Sequence, residues 1–252
     1  MSLIGQPESY SDMLKRIFAA TLTAGIICTV AVARVSPAVR DFLDSWDAEV
    51  GIGILNSIKA LYVLIPLLLA VLIRVFRVHD KVSDPLGLRR HFDIQHILKP
   101  LADGVGFPTD GTRWLEVRTN RDLLMRRTFF RYASFKEPKI DGQLVRTAAD
   151  QWAWFWCMIE PQVVLLITGI IFATIAAWIE VLIVLSVILI LAVTALILWP
   201  QLKTGAKAQV TDILTREDWK TEIRAAFNDV LGGQESAAQQ GDAADGPQAA
   251  RC

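Results

Sequence analysis

The stretch VVLLITGIIFATIAAWIEVLIVLSVILILAVTALILW, Val163–Trp199, decides the fold. Glu180, near its middle, is its only charge. As one straight helix it would reach about 55 Å, against a bilayer hydrocarbon core of about 30 Å. The run therefore folds back as a membrane hairpin with Glu180 at the outer turn, or it crosses once and continues along the surface. Against the hairpin, Ala177–Val181 holds no glycine or proline to make the turn. Trp152, Trp154, Phe155 and Trp156 stand just before the run and mark where the chain meets the interface.

The bulk composition agrees with a membrane protein. Of 252 residues 53% are hydrophobic, more than a soluble domain of this size carries. Lysine plus arginine equals aspartate plus glutamate at 26 each, so net charge indicates no partner. Cys28, Cys157 and Cys252 lie in or beside apolar segments or at the last position, and their spacing fits neither a disulfide framework nor a zinc ribbon.

Upstream, Lys15 and Arg16 precede the apolar run Ile17–Ala33, which ends Ala31-Val32-Ala33. That order is shared with signal peptides; it is read here as an uncleaved first transmembrane helix. Thr21, Gly25, Thr29 and Ala33 recur every four residues, a stripe of small side chains that lets helix backbones approach closely. It serves packing within the chain, or it is a self-association or pore-lining face. Residues 34–50 make an acidic loop. The second span lies within Ile52–Phe76, with Pro66 as a kink and Lys59 about two turns in. Lys59 either snorkels to the headgroups or faces a wet cavity.

Residues 77–160 hold more than half of the basic residues, with a modest positive excess, and all 3 histidines. A helix is expected to open near Asp84-Pro85 and run past Phe92 and Ile97. Trp114–Thr119 alternates large and charged residues and reads as a strand after the turn glycines Gly104, Gly106 and Gly111. Asn120 caps a further helix, and Leu144, Ala148, Trp152 and Phe155 form an amphipathic helix leading into the membrane at Pro161. After the hairpin, Thr215 and Asp218 resemble a cap, and Trp219, Ile223, Phe227 and Val230 give one apolar face that must dock on the membrane, on 77–160 or on another subunit. From Gly232 on, the composition is that of a disordered tail.

The expected fold is therefore a mainly α-helical membrane protein. Four transmembrane helices, as two pairs, flank a small cytosolic α+β or helical domain, and a C-terminal amphipathic helix follows. The segments run 1–16, 17–76, 77–160, 161–199, 200–231 and 232–252. Arg74, Arg77, Lys81, Arg89 and Arg90 after the second helix, and Lys203, Lys207 and Arg216 after the last, fall on one side only if the count is four. That places both termini in the cytoplasm of a bacterial inner membrane. Three spans would put the last basic residues outside.

No signature of an enzyme is present, whether GxSxG, HExxH, a Walker loop or GxGxxG, and no cofactor is implied. His91-x-Asp93-x-x-His96 suggests a metal, but on an α-helix the two histidines lie about 140° apart and cannot share an ion. Arg113, Arg118, Arg121, Arg126, Arg127 and Arg131 are interleaved with Trp114, Phe129, Phe130 and Tyr132. They form a juxtamembrane surface for anionic lipid, or a pocket where arginine forks take phosphates and aromatics take bases.

The layout of two spans, a basic insert (Arg77–Glu160), a second pair of spans and a helical tail resembles the four-span effectors of bacterial anti-phage defence systems. Among these are the Hailong-type channel effector and the four-span effectors of cyclic-oligonucleotide systems. The resemblance implies a homo-oligomeric membrane pore, controlled by a nucleotide or oligonucleotide that a partner nucleotidyltransferase makes. The residue reading supplies Arg113, Arg118, Arg121, Arg126, Arg127, Arg131, Trp114 and Phe130 as ligand candidates. Thr21, Gly25, Thr29, Lys59 and Glu180 are the candidates for the pore or for helix packing. The alternative is a non-conducting membrane anchor whose Trp219/Ile223/Phe227 face binds a different protein.

Overall fold

A computed structural model describes residues 7–46, 49–52, 55–76, 81, 83, 88–109 and 111–244. The chain forms two compact units, one from Met1–Pro85 with Thr147–Leu202, the other from Leu86–Arg146 with Lys203–Cys252.

The first unit begins with α1 (Tyr10–Val35). Ser9 caps it reciprocally with Asp12: its hydroxyl accepts from the Asp12 N–H at 3.1 Å and donates to the Asp12 carboxylate at 2.8 Å. Ser36 ends α1 and caps α2 (Pro37–Asp44), which has proline in its first turn. A two-stranded antiparallel ribbon follows, β1 (Glu49–Ile52) with β2 (Leu55–Lys59), in the register Glu49 to Lys59 and Val50 to Ile58. The apolar helix α3 (Leu61–Val75) starts only after that ribbon. Lys59 thus ends a strand rather than sitting two turns into a helix. With 15 residues, α3 reaches only about 22 Å.

Gly25 of α1 faces Pro66 of α3 so closely that a Cβ there would lie 2.9 Å from the proline Cβ. Thr21 and Gly25 are buried, and Cys28 and Val32 continue the packed face into a core with Ile73, Val164, Leu165, Phe172 and Val184. The last four belong to α9 (Pro161–Thr174) and α10 (Trp178–Ile213). α8 (Gly142–Ile159) precedes α9, and its residues from Thr147 on belong to this unit. Its aromatics pack on one another rather than only facing an interface: Phe155 touches Trp152, Trp156 and Trp199, each at 5.7 Å between ring centroids.

The break in the long apolar run falls at Ile175–Ala177, one turn before Glu180. The Ala177 N–H reaches the Phe172 carbonyl at 2.9 Å and the Ala176 N–H reaches that of Ala173 at 3.1 Å. Ala176 sits at φ 57° between them. This is a Schellman closure with alanine in the left-handed position that usually holds glycine. A turn without glycine or proline is possible because two backbone bonds and the Phe172–Ala177 apolar contact offset the strain of a single residue. Serine and threonine hydroxyls within these helices bond back to carbonyls four residues earlier, as Thr168 does to Val164 at 2.9 Å and Thr194 to Ile190 at 2.8 Å. Such bonds satisfy polar groups where water is absent.

The regular elements of the second unit are all helices among the described residues. α4 (Leu88–Phe92), a π-helical turn (Asp93–Leu98) and α5 (Lys99–Gly104) follow one another directly. Asp84-Pro85, expected to open this helix, lies outside the described residues. α6 (Thr112–Thr119) replaces the expected strand. Only Val117 of that segment is buried, Leu115 is exposed, and the Asn120 N–H and side chain both bond to the Glu116 carbonyl. Six alternating residues cannot distinguish a strand from a helix that buries a single side chain. α7 (Arg121–Leu124) leads into a second π-helical turn (Met125–Phe129).

The last helix, α11, runs Glu217–Ala244, so the backbone stays helical well into the segment expected to be a disordered tail. Alanine, glutamine and glutamate there are good helix formers; 245–252 lie outside the described residues. The apolar face of α11 docks within this unit. Phe227 stacks on Phe107 at 5.1 Å and Trp219 on Tyr132 at 4.7 Å, and Ile223 and Phe227 are fully buried. Of the three docking partners expected for that face, the one seen is the segment 107–132 of the same unit. Arg224 fixes the register, donating from Nε to the Val105 carbonyl at 2.7 Å. Its guanidinium passes where a Cβ at Gly106 (φ 65°) would sit.

Candidate anion-binding site

The second π-helical turn and α11 wall a shallow open groove of about 770 Å³. One wall carries Arg126, Arg127, Phe130 and Arg131; the other carries Glu222 and Asp229, with Ala225 and Ala226 as a small-residue floor. The wide turn is held by the buried Thr128 hydroxyl, which donates to the Leu124 carbonyl at 2.7 Å. Inward-facing Met125 and Phe129 anchor it, leaving the arginines and Phe130 outside. Phe130 is 46% exposed, its ring edge-on to Phe129.

The groove is not simply basic. Arg127 pairs with Asp229, and Arg131 with Glu222 at 3.0 Å. Glu222 also accepts from the Tyr132 hydroxyl at 2.7 Å. Burial and that bond push the Tyr132 hydroxyl well above its usual range. Arg126 has no ion pair among the described residues. The exposed pairs are weak enough, about 0–1 kcal/mol, for a competing anion to replace them.

The other sequence candidates do not line this groove. Arg121 is largely buried and pairs with Asp93 at 3.7 Å and Asp122 at 2.5 Å, a structural role. Arg113 lies over the Phe107 ring at 5.9 Å, Trp114 is half-buried, and the Arg118 carbonyl accepts from Arg90. Sequence reading missed the acids facing the arginines. Glu222 and Asp229 stand seven apart on α11, two turns along one face beside its apolar stripe, so their spacing was the available signal.

His91 and His96 also differ from expectation. The π-helical turn changes their angular spacing, and the rings meet edge-on at 6.2 Å between centroids. Burial, Lys203 and His91 together depress the His96 imidazole. No group of three metal-ligating side chains occurs among the described residues.

In the first unit, Thr21 and Gly25 are buried in the α1–α3 packing and Thr29 is half-buried. Lys59 donates to the Asp44 carbonyl at 2.8 Å, and Glu180 is half-buried in the first turn of α10. Other charges are better enclosed: Arg16 pairs with Asp150 at 2.5 Å, both side chains mostly withdrawn from solvent, and Glu160 is 6% exposed.

Tyr10–Val35, Gly142–Thr174 and Trp178–Ile213 are long and apolar enough to cross a membrane, with α3 as a shorter apolar helix. The class is that of a helical membrane protein carrying a second, helical unit with a mixed-charge groove. The chain belongs to the YmfE protein family, whose model matches residues 9–229. Comparison with curated proteins and with solved structures returned no match.

Proposed function

We propose that this protein is an oligomeric ion channel or membrane effector of the bacterial inner membrane, gated by an anionic ligand. The ligand would be a nucleotide or single-stranded oligonucleotide bound along Arg126, Arg127, Phe130 and Arg131. One observation carries the reading: three arginines and an exposed aromatic ring line a single groove. Arginine forks match phosphate oxygens, and an aromatic face accepts a base of any sequence. An anti-phage role, with a partner nucleotidyltransferase as the ligand's source, fits the same chemistry. Four crossings with cytoplasmic termini fit the basic flanks of α3 and α10. α3 would then cross by local thinning of the bilayer, at a cost of a fraction of a kcal/mol per Å.

The test uses the full chain in detergent with ATP and a short oligothymidylate as probes. Arg126→Ala with Arg127→Ala should weaken binding about tenfold or more, each bidentate contact being worth about 1.5–3 kcal/mol. In a planar bilayer the probe that binds should open a current. Equal affinity in the double variant, or no current with any probe, defeats the reading.

A further inference from the structure

Two acids lie on the 33-residue apolar stretch Gly142–Thr174, and they are treated differently. Asp150 is bound by Arg16 at 2.5 Å, an ion pair whose side chains are 12% (Arg16) and 19% (Asp150) exposed. Glu160 is more deeply buried, at 6% exposed, and its Oε2 has no hydrogen-bond partner among the described residues. The backbone at Glu160 needs nothing from that side chain. Its N–H bonds to the Trp156 carbonyl at 2.9 Å, its carbonyl accepts from Val163 at 3.1 Å, and the side chain makes no capping bond at the start of α9. A glutamate held for helix capping would look otherwise.

Among the described residues, none forms an ion pair with Glu160. Arg74, at the end of α3, is the basic group whose field reaches Glu160, and it forms no ion pair with it. Arg16 on α1 is taken by Asp150. Cys157, one turn earlier on α8, is a buried thiol within reach of the charges of Arg16, Asp150 and Glu160. Pro161, Val164 and Leu165 on the other side are buried and apolar. An ionised carboxylate in such a place, with Oε2 buried and unbonded, is strongly disfavoured. Ionisable groups inside membrane segments mark proton and ion sites more often than structural ones.

We propose that Glu160 is a proton-binding site of the membrane unit. The side chain holds one proton from the aqueous phase as a neutral carboxyl. Releasing it returns the proton to water and leaves a carboxylate that attracts Arg74, so the charge state of the α8–α9 junction is coupled to the end of α3. Asp150 takes no part, since its charge is already balanced by Arg16.

Infrared spectroscopy of the full chain in phosphatidylethanolamine–phosphatidylglycerol vesicles tests this. At neutral pH the wild-type protein should show a protonated-carboxyl C=O band. That band should shift when glutamate carboxyls are carbon-13 labelled, disappear in Glu160→Gln and persist in Asp150→Asn. The labelling arm needs no substitution, so it stands even if the variant fails to fold. A wild-type spectrum without the band, a band unmoved by glutamate labelling, or a band retained in folded Glu160→Gln overturns the proposal.

Discussion

The arginine groove and the Arg16–Asp150–Glu160 region hold the same kinds of side chain under opposite conditions. In the groove, Arg127 with Asp229 and Arg131 with Glu222 meet in water, with side chains about half exposed or more. In the membrane unit, Arg16 and Asp150 meet with side chains mostly withdrawn from solvent, and Glu160 Oε2 has no hydrogen-bond partner among the described residues. The contrast teaches that pairing alone says little about energy. An exposed pair is weak and exchangeable, whereas a buried one is strong chiefly because breaking it strands a charge.

The largest effect is expected from Arg16→Ala, which leaves the mostly enclosed Asp150 carboxylate uncompensated. The expected loss is on the order of 3 kcal/mol, read as a fall in thermal unfolding temperature in detergent. Removing both charges together, as Arg16→Met with Asp150→Leu, should recover most of it. If the single variant unfolds like wild type, the pair is not sealed from water.

Asp93 gives an intermediate case with a pH signature. Burial pushes its carboxyl up to about 6, against the pull of Arg121 and Arg89. The native state therefore holds this proton more tightly than the unfolded chain. Its stabilising contribution is full below about pH 4 and is lost as pH rises to about 6. Relative to Asp93→Asn, wild type should lose about 3 kcal/mol across that window, measured by thermal unfolding at stepped pH. A difference curve that stays flat, or slopes the other way, contradicts the burial of Asp93.

Smaller effects sharpen the picture. Ala176→Gly should raise stability by about 0.5–1 kcal/mol, because glycine occupies the left-handed position without strain. A lower unfolding temperature would place the turn elsewhere. Asp229→Ala in the groove should change stability by less than about 1 kcal/mol, within reach of the same unfolding assay. A much larger loss would mean that the groove is as closed as the Arg16 site.

Composition and helical periodicity alone were enough for the membrane class, the apolar run and its aromatic flank, the docking face of α11 and the clustering of arginines. These are properties of composition and of a 3.6-residue period, which any helix expresses locally. The sequence could not determine which arginines converge. That depends on two π-helical turns, which leave no mark in a hydrophobic pattern and re-aim every side chain after them. Nor could it place the helix break at Ile175–Ala177, since alanine reaches the left-handed region only when backbone bonds on both sides hold it there. Tertiary structure also decided the fate of each acid. Glu180, isolated in the apolar run, and Asp150 are both half-buried, Asp150 with Arg16 as its partner, while Glu160 is buried. Whether a charge is paired, solvated or stranded depends on the helices around it, and that information is not carried by its neighbours in the chain.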